Sequence, residues 1–245
     1  MIRKFTTDTL VVATHNRGKL VELNELLSPY VKHLKCAADY QLSAPAETGH
    51  TFRENALIKA RYVAERTDLP ALADDSGLSI PILGGKPGIY SADWMLGPKG
   101  AEGAFEMIKE MIQAIPFNEP ISASFHAAMV LYWPDGRYEI TEAVCPGYIS
   151  YPPRGQNGHG YDPIFVPRGS QKTFAEMTLA EKQQFSHRGK ALRSLISMCF
   201  DPDSSYQTPD DQDRIELPQT LNDDDSLYDR DDRHWDEDHP EDQDE

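Results

Sequence analysis

Pro70-Ala71-Leu72-Ala73-Asp74-Asp75-Ser76-Gly77-Leu78 decides how this chain is read. Its apolar start is a buried-strand candidate, and the Ser76-Gly77 pair behind it signals a chain reversal. Strands are therefore expected at 70–73 and 78–82, with Asp74 and Asp75 at the C-terminal end of the first. Alternation along a strand sends the two carboxylates to opposite sides, so one can face a metal while the other is tied into the scaffold. Open α/β sheets hold ligands at such strand ends. A plain turn is the simpler account of Asp-Asp-Ser-Gly. Four further segments, described below, give the chemical account its weight.

Outward from this stretch, helical and strand patterns alternate. Thr9–Ala13 reads as a first buried strand. Lys19–Ser28 reads as a helix with Leu20, Leu23, Leu26 and Leu27 on one face, stopped by Pro29. A second strand is expected within residues 31–50. Thr51–Arg66 reads as a helix that opens on the capping box Thr51-Phe52-Arg53-Glu54. Gly84–Gly88 is a loop, and Ala101–Ile115 is an amphipathic helix. Ile121–Trp133 and Tyr138–Cys145 flank the turn Pro134-Asp135-Gly136 and predict a long hairpin. Short strands are expected at Tyr148–Tyr151 and 164–166, and helices at 173–184 and 186–200. The fold class is α/β, with a mixed central sheet flanked by helices.

The charge is unevenly placed. Residues 201–245 hold 19 acidic residues against 3 arginines, a net −16 that equals the charge of all 245 residues. Residues 1–200 are therefore neutral, with 21 charges of each sign. One domain over 1–200 and a disordered acidic tail over 201–245 follow, because such a tail cannot bury enough apolar surface to offset its ordering entropy. The tail is a solubilising appendage or a docking segment for a basic partner, with Leu227, Tyr228 and Trp235 as its apolar contacts. The N-terminus carries no signal-peptide pattern, and no apolar run approaches the ~20 residues that span a bilayer. Cys36, Cys145 and Cys199 are odd in number and lack metal-site spacing, which suits a reducing, cytoplasmic setting. Neither nucleic acid nor membrane is expected as a partner.

Four segments carry the chemistry. Thr14-His15-Asn16-Arg17-Gly18-Lys19 joins the first strand to the first helix. A junction of that kind offers free backbone N–H groups and a positive helix end to an anion. Thr14 and Asn16 are read as added donors, Gly18 as room for a phosphate, and Lys19 as charge; the Walker A spacing is absent. In Glu54–Arg61, Glu54 is the capping acid, and Lys59 lies among small and apolar neighbours, able to stabilise charge developing on a phosphate. In Gly158-His159-Gly160-Tyr161-Asp162-Pro163, glycines around two rings allow a flat ligand to be clasped, and Asp162 offers an acceptor. In Glu181–Arg188, Ser186 is a helix N-cap. That puts His187 and Arg188 in a first helical turn, where cations are disfavoured by the dipole unless an anion or a base carbonyl is bound. Lys182 is close enough in sequence to join them. Each segment also has an ordinary reading, as a surface loop, a solvated lysine, a core turn or exposed basic residues.

Taken together, Thr14–Lys19, Thr51–Ala60, Ala73–Leu78, Gly84–Ala92, His159–Phe165 and Phe174–Arg188 resemble the Ham1/inosine triphosphatase family, over nearly all of residues 8–200. The resemblance implies a cytoplasmic, homodimeric, Mg2+-dependent enzyme that hydrolyses ITP, dITP and XTP to the monophosphate and pyrophosphate, clearing deaminated purines from the nucleotide pool. By motif position, Thr14–Lys19 and Lys59 would hold phosphates. Asp75 would be the catalytic carboxylate and a metal ligand, and Glu47 would be a second metal ligand. Ser76 would contact substrate, and His159–Asp162 with Lys182, His187 and Arg188 would hold the base. Arg188 and backbone N–H groups would satisfy a 6-oxo group that adenine lacks. Two positions depart from the family: His159 stands where Phe is usual, which predicts weaker or pH-sensitive base binding, and Asp93 stands where Arg is usual, reversing a charge expected near Asp75. The competing readings are a Maf-like pyrophosphatase with shifted base choice and a weakened nucleotide-binding protein that docks a partner through its tail.

Overall fold

The computed structural model describes residues 2–116 and 120–201. The acidic-tail expectation lies outside the described residues. Six strands form one sheet: β1 (Thr9–Val12), β2 (His33–Cys36), β3 (Ala71–Ser79), β4 (Ser122–Tyr132), β5 (Tyr138–Ile149) and β6 (Phe165–Pro167). Their order is β2-β1-β3-β4-β5-β6. β1 runs parallel to β2 and β3, and the remaining neighbours are antiparallel, so the sheet is mixed as expected. The helices are α1 (Arg17–Leu27), α2 (Phe52–Thr67), α3 (Gly100–Gln113), α4 (Leu179–Phe185) and α5 (His187–Leu195).

One face of the sheet buries Leu10, Val12, Leu72, Met129 and Leu131 against Leu23 and Leu27 of α1 and Leu192 and Leu195 of α5. Each fully buried leucine of this kind stabilises the fold by about 1.5–3 kcal/mol relative to exposure. A second cluster fills the other end, where Leu78, Ile80, Phe125 and Phe165 meet Phe105 and Ile108 of α3. α2 covers the opposite face at β3 and β4. The hairpin is closed as the sequence predicts: Gly136, at φ 87°, donates its N–H to Trp133 O.

Three expectations need correction. The stretch Ala71–Ser79 is one continuous strand, not two strands about a turn. Asp74 and Asp75 therefore stand in mid-strand, opposite Met129 and Ala128 of β4. The long antiparallel partner keeps pairing through Ser76 and Gly77 and overrides their local turn preference. Gly77 is there for close approach: a Cβ would lie 2.4 Å from Gly88 O and 2.5 Å from Ser91 Oγ. The second expected strand ends at Ser79, and Pro81–Leu83 is a 3-10 turn. Tyr148–Ile149 likewise belongs to β5, which runs straight through Pro146. β6 pairs with Gly147–Ile149 and Arg168 N donates to Pro146 O, so the ladder on that side ends with Pro146 as an acceptor, where proline is tolerated. Finally, 173–184 is not one helix. Thr178 accepts from Glu181 N and Glu181 accepts from Thr178 N, so a capping box starts α4 afresh at Leu179.

Candidate active site

The site opens where β1 stops. β1 pairs with β3 only at Ala71 and Leu72, and the chain then turns away into the loop before α1. From Ala73 onward β3 is free on that side, which leaves a crevice next to Asp74–Gly77. Ligands gather at such carboxyl ends of parallel strands. The end that matters is that of β1, not of β3 as the sequence suggested.

Alternation along β3 divides the crevice. Asp74 and Ser76 face α1 and α5, and Asp75 faces α2. Asp74 Oδ2 lies 3.1 Å from both Lys19 Nζ and Arg188 Nε. Asp75 Oδ1 accepts from Lys59 Nζ at 2.7 Å, and the same ammonium lies 3.3 Å from Glu47 Oε1. Burial opposes the charge of Asp74, but Lys19, Arg188 and Lys59 outweigh it and hold the carboxyl well below the usual range. At Asp75 burial prevails: with the neighbouring Glu47 it raises the pKa against the pull of Lys59. Burial opposes the charge of Lys59 too, yet Asp75 and Glu47 together raise its pKa. Lys19 is lowered by burial, which Asp74 only partly offsets.

Behind the wall is a residue that the sequence reading missed. Glu22 of α1 accepts from Lys182 Nζ at 2.7 Å and from Arg188 NH1 at 2.5 Å, and lies 3.4 Å from His159 Nε2. Burial opposes its charge, but Arg188, His159 and Lys182 keep it ionised far below the ordinary glutamate range. Glu22 follows Lys19 by three residues and shares its helical face, but a helical glutamate beside a lysine reads as an ordinary surface pair. Lys182 also donates to Asp162 Oδ2 at 2.6 Å, and His159 N donates to the same oxygen at 2.8 Å. Asp162 is thus spent on shaping the turn that carries His159. The His159 ring lies over Gly18, where a Cβ would come within 2.6 Å of Cδ2.

Ser186 caps α5 by accepting from Gly189 N at 3.0 Å, as expected. The cap aims Arg188 inward, where Nε, NH1 and NH2 donate to Asp74, Glu22 and Ser76. His187 is no second cation. Burial first, then Arg188 and Lys182, push its pKa far down, so the ring is neutral near pH 7. It stacks on Phe125 with centroids 4.6 Å apart, and its buried Nδ1 has no hydrogen-bond partner.

These groups surround one cavity of about 300 Å³. Its wall includes Asn16, Lys19, Glu47, Lys59, Asp75, Ser76, His159, Gly160, Tyr161, Asp162, Lys182, His187 and Arg188, all expected from sequence. Tyr161 is mostly core, its hydroxyl donating to Ser91 O. The sequence reading missed the apolar part of the wall, Ile89, Ala92, Met95 and Phe125. Met95 approaches Gly160 across a gap that a Cβ there would fill to 3.7 Å.

Among the described side chains of the first loop, Thr14, His15 and Gly18 are not on the wall. Thr14 Oγ1 accepts from Asn16 N and Asn16 Oδ1 accepts from Lys19 N, which shapes the loop and leaves the Thr14 hydroxyl hydrogen and the Asn16 Nδ2 group as donors. His15 Nε2 is paired with Leu42 O at 2.9 Å, tying this loop to the connection that carries Glu47. Gly18 lies beneath His159. Arg17 opens α1, and its side chain is outside the described residues. Two smaller corrections concern acids. Glu54 Oε2 accepts from His50 N instead of the N-cap N–H. Asp93 is exposed and does not line the cavity.

A metal is tested on the donors present. Among the described residues there is no group of three or more His, Cys, Asp or Glu side chains placed to hold an ion. Asp75 and Glu47 nonetheless share a single ammonium, and Asp75 Oδ2 is buried without a partner. Two carboxylates with a spare oxygen fit a hard cation that keeps most of its waters.

A mixed α/β sheet whose crevice is lined by paired cations and carboxylates defines a protein that takes a small, multiply charged anion together with a flat, partly apolar group. The comparisons agree. The profile described as the Ham1 family matches residues 10–198, stopping before the acidic run. The chain is 46% identical over 198 residues to the dITP/XTP pyrophosphatase of Rhodospirillum centenum, covering 81% of this chain and 98% of that protein. It is 45% identical over 202 residues to the dITP/XTP pyrophosphatase of Ruegeria pomeroyi, covering 82% and 99%. Among solved structures, a HAM1 protein from Coxiella burnetii superposes with a TM-score of 0.70 at 39% identity, covering 77% of this chain and 96% of that one. The chain belongs to the Ham1 family.

Proposed function

We propose that this protein hydrolyses deaminated purine nucleoside triphosphates, dITP, XTP and ITP, to the monophosphate and pyrophosphate with the help of Mg2+. The observation that carries the reading is Asp75: buried on the cavity wall, bonded through Oδ1 to Lys59, and with Oδ2 free. A water positioned by the Asp75 carboxylate attacks the α-phosphorus in line with the pyrophosphate. As the new P–O bond forms and the α–β bridge breaks, the electron pair leaves with pyrophosphate and the water's proton passes to Asp75. Lys19 and Lys59 stabilise charge on the phosphates. Mg2+, held by Asp75 and Glu47, supplies further charge stabilisation when bound.

Charge balance supports the metal. The acids Glu22, Glu47, Asp74, Asp75 and Asp162 outnumber the cations Lys19, Lys59, Lys182 and Arg188, and the surplus falls at the pair that shares Lys59. A bare triphosphate would be repelled there, and a magnesium complex would not. At the other end, neutral His187 with its unpartnered Nδ1 and the uncommitted N–H groups of Arg188 suit the edge of a hypoxanthine or xanthine ring. Three of the five guanidinium N–H groups are already committed, so Arg188 has at most two to offer. A 6-amino group would leave such donors unpaired.

The resemblance also supports a cytoplasmic homodimer, and the three unpaired cysteines suit a reducing compartment. Among the described residues no helix is long and apolar enough to cross a membrane. We infer that the tail is either a solubilising segment or a docking segment for a basic partner. The family match leaves nothing in favour of the Maf-like reading. Against the weakened binder stands the gathering of Lys19, Lys59, Asp75 and Lys182 at one cavity. Pyrophosphate release from XTP, dITP, ITP, dUTP and ATP, with and without EDTA, tests the proposal. EDTA-sensitive release that favours the first three supports it; preferred hydrolysis of dUTP or ATP contradicts it.

A further inference from the structure

Glu47 stands on the connection between β2 and α2, on a stretch with no secondary structure. A carboxylate on such a segment is placed only as well as the segment is held, and here three bonds to one helix hold it. Asn55 is 2% exposed, and its Oδ1 accepts from Gly49 N at 2.8 Å. Glu54 Oε2 accepts from His50 N at 2.6 Å. Lys59, four residues after Asn55 and therefore on the same face of α2, reaches Glu47 itself. On the other side of Glu47, Pro45 is buried. Gly49 leaves no slack: a Cβ would lie 2.6 Å from Asn55 Oδ1 and 2.6 Å from Glu54 Cβ.

We infer that Asn55 is a positioning residue for the metal site: its amide latches Gly49 to α2 and so fixes Glu47 opposite Asp75. The inference rests on the reading of Asp75 and Glu47 as the metal's carboxylates. It assigns a task to a buried polar side chain that the helix does not need, since a buried asparagine in an α-helix contributes neither propensity nor apolar packing. It also explains why glycine is required at 49, because any side chain would push the two partners apart. Hydrogen-bond partners behind metal ligands commonly control affinity by about 10–100-fold.

The test is Mn2+ binding to the full-length protein, followed by electron paramagnetic resonance, with thermal unfolding measured beside it. Asn55→Ala and Gly49→Ala break the same latch from its two sides. Each is expected to weaken Mn2+ binding by about 10–100-fold, and the double variant to be no worse than either single one. Asn55→Asp keeps an oxygen toward Gly49 N and is expected to restore most of the affinity. In XTP hydrolysis the loss is expected in the metal activation constant, with kcat recovered at saturating Mg2+. Asp75→Asn separates the two levels of the argument. If Asp75→Asn binds Mn2+ as the wild type does, the metal reading itself falls and the inference with it. If Asp75→Asn loses Mn2+ while Asn55→Ala and Gly49→Ala keep wild-type affinity, the metal reading stands and the latch is overturned. A drop in melting temperature with unchanged Mn2+ affinity would equally show Asn55 to be structural only.

Discussion

Burial acts on Asp74 and Asp75 alike, yet their neighbours send them in opposite directions. Asp74 is surrounded by Lys19, Arg188 and Lys59 and stays charged; Asp75 shares one lysine with Glu47 and is easier to protonate. In the proposed mechanism the first is scaffold and the second carries the chemistry. Asp75→Asn is therefore expected to lower kcat for XTP by about 10²–10⁴-fold while leaving the melting temperature near wild type; an undiminished rate would remove Asp75 from the mechanism. Glu22 makes a different prediction. Its folded pKa is lowered, so the stability it contributes is fully present above the ordinary glutamate value of about 4.3. That stability is lost as pH falls toward the lowered value. Glu22→Gln leaves Arg188 and Lys182 short of a counter-charge, at a cost of about 3–5 kcal/mol at pH 7. In urea unfolding the gap to wild type is expected to narrow steadily below about pH 4; a gap independent of pH would contradict the ion cluster. Lys59 could be read from the sequence because it stood among small and apolar neighbours, Asp75 because it follows an apolar run, and Lys182 because it lies close to His187 and Arg188. Glu22 could not, because a glutamate in a helix with an exposed face reads as solvated until its partners, about 160 residues away, are seen.

At the scale of elements, local signals served well where the structure is local. The caps Thr51 and Ser186, the leucine face of α1 and the Pro134–Gly136 turn all follow from short-range chemistry. They failed where distant backbone decides. Nothing within Asp74–Leu78 announces that β4 pairs with it to Ser79, so a turn was expected at Ser76-Gly77, although the parting of Asp74 from Asp75 was foreseen. The Thr178–Glu181 capping box was local and could have been read, but one helix was expected over 173–184. Two substitutions test these elements. Ser186→Ala removes the cap of α5 and is expected to cost about 1 kcal/mol, with an accompanying rise in KM because His187 and Arg188 open that helix. Gly77→Ala forces a methyl against Gly88 O and is expected to cost about 1–3 kcal/mol; a neutral effect would mean that the packing of the 3-10 segment on β3 is looser than described.

At the scale of the molecule, the neutral charge of residues 1–200 and the acidity of 201–245 separate folding from net charge. The family match ends at 198, and the last described contacts, Phe5 N to Cys199 O and Lys4 Nζ to Asp201 O, close the N-terminal segment over the end of the domain. A chain cut after Asp201 is therefore expected to keep the melting temperature and XTP kinetics of the full chain. A large loss of either would give the tail a part in the site. The most direct measurement of the central claim is 31P NMR of XTP hydrolysis in the presence of Mg2+, wild type against Asp75→Asn. The account predicts xanthosine monophosphate and pyrophosphate as the first products of the wild type, none with EDTA, and almost none from the variant. Release of inorganic phosphate with the diphosphate, or an equal rate from Asp75→Asn, would contradict it.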